Sequence, residues 1–121
     1  MDDPEEMVCV VSMSVDGRAW IVQVHGFMDF RHAALLREQV DAVLRGAHVP
    51  VLIVDLSTVA FCDSSGLSAL VYALRRCRNA STHLILTGVR GTQERWMTIT
   101  GLSRIFDRRP NVTDALPAAA G

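Results

Sequence analysis

A chain of 121 residues, half of them apolar and 21% charged, with a formal net charge of −1, has the make-up of one compact domain with its own core. That balance excludes a disordered polyelectrolyte and offers no basic excess for nucleic acid. No apolar run is long enough to span a bilayer, and the acidic start MDDPEEM lacks the basic-then-apolar order of a secretory leader, so a cytoplasmic protein is expected.

Residues 1–7 are expected to be a flexible acidic lead. After them, MVCVVSMSV and RAWIVQVHG flank Asp16-Gly17, which predicts a β-hairpin whose tight turn favours positive φ at both central positions. In DFRHAALLREQVDAVLRG the apolar positions Ala33, Leu36, Val40, Val43 and Leu44 recur at steps of three and four, an amphipathic helix that Gly46 stops. VLIVDL, after Pro50, is apolar at five of six positions and predicts a strand buried on both faces, ending in a loop. From Ser64 onward Leu67, Leu70, Val71, Leu74 and Cys77 form a second helical stripe, with Arg75, Arg76 and Arg78 near the end where the helix dipole favours cations. HLILTGV predicts a strand and GTQERWMTITG a helix closed by Gly101. SRIF and VTDAL suggest a short last strand and helix, before a loose tail at 117–121. The order β-β-α-β-α-β-α, with short connections, predicts a single α/β domain with a mixed sheet of four to five strands and packed helices.

The chemistry concentrates in four residues, Asp63, Ser64, Ser65 and Gly66, where the apolar strand gives way to a helix. Either Asp63 or Ser64 can cap that helix, a contribution of typically about 1 kcal/mol, but one cap needs one such residue and here three stand together. A nucleophilic serine lacks both the G-x-S-x-G elbow and a base, since none of His25, His32, His48 and His83 is placed beside it by the sequence. The histidine and cysteine spacings fit no metal set. A helix N-terminus suits a phosphate, yet there is no Gly-rich loop or Lys, and Asp63 repels an anion. A covalent phosphate on a serine is the remaining reading: it is tolerated at the first turn of a helix and adds roughly −1.5 to −2 charges beside Asp63. Cys9, Cys62 and Cys77 have neither CxxC spacing nor an even count and read as core thiols.

Three segments carry a resemblance: VHGFMD after the hairpin, VLIVDLSTVAFCDSSGLSALV in the middle, and ITGLSRIF with VTDAL near the end. Through them the chain, over residues 8–116, resembles a STAS domain of the bacterial anti-sigma-factor antagonist type. The middle segment is the specific one. The resemblance implies a regulatory switch and no catalysis by the chain itself. In such antagonists the serine directly after the aspartate is phosphorylated by a partner that is both a serine kinase and the anti-sigma factor. Carried over, that residue is Ser64, with Ser65 and Gly66 following. The unphosphorylated form binds the kinase and frees the sigma factor; a PP2C-type phosphatase resets the phosphorylated form. ATP and Mg²⁺ belong to the kinase, so no cofactor is expected here, and neither nucleic-acid binding nor membrane insertion. Asp29 matches an acid that lies near the phosphosite in the family.

This chain departs from the family at Phe27, where many members carry Glu. Two readings of Phe27 stay open: an exposed residue that turns a charged partner contact into an apolar one, or a residue turned into the core. The expected docking surface comprises Gly26–Asp29, Asp63–Gly66 and the exposed face of the following helix. Two other classes remain beside the switch. One is a non-switching STAS subunit or scaffold of a transporter or signalling complex; the other is a thiol sensor at Cys62, which the neighbouring negative charge disfavours. An autonomous enzyme comes last.

Overall fold

The computed structural model describes residues 5–116; the first four residues of the acidic lead and the expected tail at 117–121 lie outside them. Five strands, β1 (Val8–Met13), β2 (Ala19–Met28), β3 (Val51–Cys62), β4 (His83–Thr87) and β5 (Asp107–Arg109), lie side by side in sequence order. β1 and β2 are antiparallel, as a hairpin requires, whereas β2 through β5 run parallel. Helices α1 (Ala33–Arg45), α2 (Ser64–Asn79) and α3 (Gly91–Thr100) make the crossovers that parallel neighbours need. A 3₁₀ turn (Leu102–Arg104) leads into β5, and a one-turn helix, α4 (Val112–Ala115), ends the described chain.

The strict alternation of a strand sorts β2, β3 and β4 into two faces. Val22, Val24, Leu52, Val54, Leu56, Leu84 and Leu86 join the main core beneath α1 and α2, with Leu36, Val40, Leu70 and Leu74 from the helices. Fully buried leucines such as Leu36 and Leu70 each contribute about 2 kcal/mol relative to exposure. Ala19, Val51, Ile53 and Ile85 face the other way and form a small cluster with Ala115 of α4. The expectation that β3 begins buried on both faces is met by two covers of different size. The carboxylate of Asp41 on α1 accepts from the Tyr72 hydroxyl and from Nε of Arg76 on α2, each at 2.8 Å, and ties the two helices together.

Several details depart from the sequence reading. The hairpin turn has positive φ at Gly17 alone; Asp16 is not in that region. The loop is longer than a two-residue turn, and Ser14 organises it: its Oγ accepts from the N–H groups of Arg18 and Ala19 and donates to Asp16 at 2.7 Å. Packing also begins before the expected boundary at Val8. Met7 is buried, and the Phe27 N–H donates to the carbonyl of Glu5 at 3.3 Å. This closeness explains Gly26, which has φ of 89° and where a Cβ would lie 2.1 Å from the Glu6 carbonyl oxygen. SRIF is not the last strand; its first two residues finish the 3₁₀ turn, and pairing starts only at Asp107.

The largest difference is in β3. The run VLIVDL does not end in a loop, because Ser57–Cys62 continue the strand against His25–Met28. Register shifts between Gln23 and His25 and between Gly26 and Phe27 absorb the extra β3 residues. Asp63 alone then separates the end of β3 from the start of α2.

Candidate functional site

β2 and β3 end side by side, with Met28 opposite Cys62, so Asp29 and Asp63 emerge together at the carboxyl ends of two adjacent parallel strands. In open α/β sheets this end is where function gathers. The Asp63 N–H donates to the Met28 carbonyl at 3.4 Å, holding the two exits against each other.

Asp63 is the N-cap of α2, with extended backbone at φ −110° and ψ −172°. Its Oδ1 accepts from the N–H groups of Ser65 (2.9 Å) and Gly66 (3.1 Å), satisfying donors that a helix start leaves free. Its Oδ2 reaches across to the other exit and accepts from the Phe30 N–H at 3.1 Å. One carboxylate therefore holds both the first turn of α2 and the loop after β2. Asp63→Ala is expected to cost about 2 kcal/mol, the upper end for a cap, because a bond outside the helix is lost as well. Urea denaturation should show this, with Asp63→Asn recovering the cap but not the Phe30 bond, because its one acceptor oxygen can serve only one of the two sides.

The remaining residues of the junction divide cleanly. Ser64 is exposed, and its hydroxyl makes no hydrogen bond among the described residues. Ser65 is half-buried, its N–H taken by the cap. Gly66 is buried against the end of β2: a Cβ there would meet the Met28 carbonyl oxygen at 2.1 Å and the Cys62 sulfur at 3.0 Å. Glycine is the residue that lets α2 start this close to β2. Cys62 is buried, and its thiol donates to the Asp63 carbonyl at 3.4 Å. Burial, with the Asp63 charge beside it, pushes that thiol up to about 12, which leaves the thiol-sensor reading without a thiolate at neutral pH.

Asp29 stands beside this junction, but its carboxylate is occupied. It is buried, and it accepts from Nε and Nη2 of Arg31 at 3.0 and 2.9 Å and pairs with Nδ1 of His32 at 2.8 Å. Burial alone would raise its pKa; the hydrogen bonds from Arg31 and His32 outweigh that and hold it below the usual carboxylate range. The structure thus gives Asp29 the work of shaping the turn before α1, with its carbonyl accepting from His32 and Ala33.

Phe27 lies between the two arrangements offered for it. It is half-buried and stacks in a tilted contact on Phe61 of β3, ring centroids 5.1 Å apart. Phe61 is 42% exposed, and Phe30, whose N–H the Asp63 cap holds, is 74% exposed. The sequence reading singled out neither of these. A loop expected after VLIVDL obscures Phe61, although its alternation with Val59 is a strand signal. On the outer face of α2, Ser68 is exposed and Val71 and Tyr72 are half-buried, continuing the surface from Ser64.

Other features belong to the frame. Asp55, buried on β3, accepts from Thr87 Oγ1 of β4 at 2.9 Å and from Ser57. A recess of about 490 Å³ lies at β5, lined in part by Arg108 and Arg109, and none of the junction residues line it. Those arginines are paired with Glu94 and Asp107. No group of three His, Cys, Asp or Glu among the described residues is arranged to hold a metal ion, and no described helix is long and apolar enough to cross a membrane.

Comparison with known proteins places this geometry. Residues 11–115 match the STAS domain family. In sequence the chain is similar to the anti-sigma-B factor antagonist of Listeria monocytogenes, 39% identical over 57 residues, a match covering 47% of this chain and 50% of that protein. The chain thus spans about half the length of that relative. In structure it is similar to an anti-sigma factor antagonist from Mycobacterium paratuberculosis, with a TM-score of 0.85, 26% identity and full coverage of both chains. The Bacillus cell fate determinant SpoIIAA in its phosphorylated form shares the fold, with a TM-score of 0.70 at 17% identity over 92% of this chain and 98% of that one. With the helix-backed five-stranded sheet and the matched span together, the chain belongs to the STAS-domain family.

Proposed function

We propose that this chain is an anti-sigma-factor antagonist whose docking surface is switched by a phosphate on Ser64. The observation that carries the reading is the division of labour at the start of α2. Asp63 supplies the cap with Oδ1 and holds the loop after β2 with Oδ2, and Ser64 is left exposed with an unengaged hydroxyl. A phosphate on Ser64 adds to the first turn without breaking the cap, where the helix dipole favours negative charge.

The partner is an anti-sigma factor that is also a serine kinase. Its ATP and Mg²⁺ supply the chemistry: Ser64 Oγ attacks the γ-phosphorus, the new O–P bond forms as the bond to ADP breaks, and the hydroxyl proton leaves to a base on the kinase. This chain is the substrate of that step. A PP2C-type phosphatase removes the group by hydrolysis. The phosphorylated SpoIIAA neighbour supports the reading, because the shared fold is known in a phosphorylated form.

The test is incubation with the cognate kinase and ATP, followed by intact mass and peptide mapping. One phosphate on Ser64 and none on Ser64→Ala is expected. A phosphate confined to Ser65, or full modification of Ser64→Ala, sinks the assignment. If the protein binds its partner equally in both states, it is a non-switching subunit.

A further inference from the structure

The two edges of the sheet are treated differently. β5 is three residues long and reads Asp-Arg-Arg, with Arg109 paired to Asp107 along the strand. Short length and charge are the usual protection of an open edge. β1, at the other edge, is six residues long and reads VCVVSM, without charge, proline or glycine. Val8, Val10, Val11 and Met13 are all exposed along it.

The direction of its free hydrogen-bonding groups follows from the hairpin. The Ser14 N–H donates to the Ala19 carbonyl at 2.9 Å, so Ser14 faces β2. In an antiparallel strand these groups alternate sides, so Ser12, Val10 and Val8 also face β2, opposite Ile21, Gln23 and His25. Cys9, Val11 and Met13 then present their N–H and C=O to the open edge. That set is its own complement. About a twofold axis through Val11, perpendicular to the sheet, Val11 lies opposite Val11 and Cys9 opposite Met13 of the second copy. Every outward N–H of both strands meets an outward C=O, and directly opposed side chains share a face, as an antiparallel pair demands.

From this we infer that β1 pairs with β1 of a second copy, joining the two sheets edge to edge in a symmetric homodimer. The interface is isologous and closed, so it ends at two chains. The absence of charge on β1 removes the repulsion that a self-pairing edge would otherwise meet. Because the two sheets run antiparallel across the axis, the two Ser64 junctions point from opposite ends of the joined sheet. Dimerisation leaves each junction open.

Sedimentation or light scattering over a concentration series tests this directly. The wild-type mass should rise from 13.3 kDa towards double that value. Val11→Arg, which sets two guanidinium groups face to face on the axis, should stay monomeric with an unchanged circular dichroism spectrum. Ile105→Arg, at an exposed position away from β1, should dimerise like the wild type. Amide exchange on the wild type reports without any substitution: Cys9, Val11 and Met13 should gain protection as concentration rises, while Val8, Val10 and Ser12 are protected throughout. A wild type that stays monomeric, a dimer that survives Val11→Arg, or edge amides indifferent to concentration overturns the proposal. Phosphorylation of Ser64 should be retained in Val11→Arg, so the dimer and the switch fail or stand separately.

Discussion

Ser64→Asp is expected to bind the kinase partner at least about 100-fold more weakly than the wild type, because a charge forced against a docked surface costs several kcal/mol and each 1.4 kcal/mol is tenfold. Ser64→Ala should bind within about threefold of the wild type, since an exposed hydroxyl with no internal partner gives up little. The contrast isolates charge from shape, and titration calorimetry with the unmodified kinase reads it. Both variants should unfold at wild-type urea concentrations, because the cap is made by Asp63 and not by Ser64. Equal affinity of Ser64→Asp and wild type would remove the phosphate from the control of binding. The effect should also shrink with salt at the exposed rim and persist where the interface is dry.

Gly66→Ala is expected to be strongly destabilising, although it adds a single methyl group. In an ordinary helix interior this substitution stabilises by nearly 1 kcal/mol. Here the new methyl would lie 2.1 Å from the Met28 carbonyl oxygen, a backbone atom on a strand fixed between β1 and β3, and cannot be accommodated without movement. α2 must slide off the end of β2. A loss of about 3 kcal/mol follows from the upper range for overpacking. The Asp63 bonds to Phe30, Ser65 and Gly66 loosen with it, so the rate of phosphorylation at Ser64 should fall as well. Ser68→Ala, on the exposed face of the same helix, is the control and should lie within about 0.5 kcal/mol of the wild type. Urea melts together with a kinase time course separate the two consequences. A Gly66→Ala protein as stable as the wild type would show that the close approach of α2 to β2 is not needed.

The second prediction turns on a contact between segments far apart in the chain, and such contacts mark the limit of what a sequence shows. The helix stripes of α1 and α2 were readable because burial on one side imposes a period that adjacent residues carry themselves. Gly101 was readable as a helix stop because glycine enters the left-handed conformation without a Cβ penalty, and it does adopt it, at φ 76°. Phe27 was not, because its neighbour depends on which β3 residue lies opposite. Two register shifts bring Phe61 there, and their cause is the pairing of two strands joined only through a helical crossover. Asp29 shows a different limit. The acid was correctly placed at the strand end, but Arg31 and His32 draw its carboxylate into the turn before α1, which a motif cannot record.

The amino-acid sequence by itself determined the element order, the two amphipathic helices and the position of an acid-serine-serine-glycine junction at a helix start. These are local patterns, and local physics suffices to read them. Only the tertiary structure decided which hydroxyl stands free. Asp63 caps α2 with one oxygen and ties down Phe30 with the other because β2 and β3 end together, Gly66 must be glycine because α2 starts against Met28, and Ser64 is what remains facing outward. The same holds for β1: its apolar composition is written in the chain, but the phase that turns Cys9, Val11 and Met13 to an open edge exists only once the hairpin has closed on Ser14.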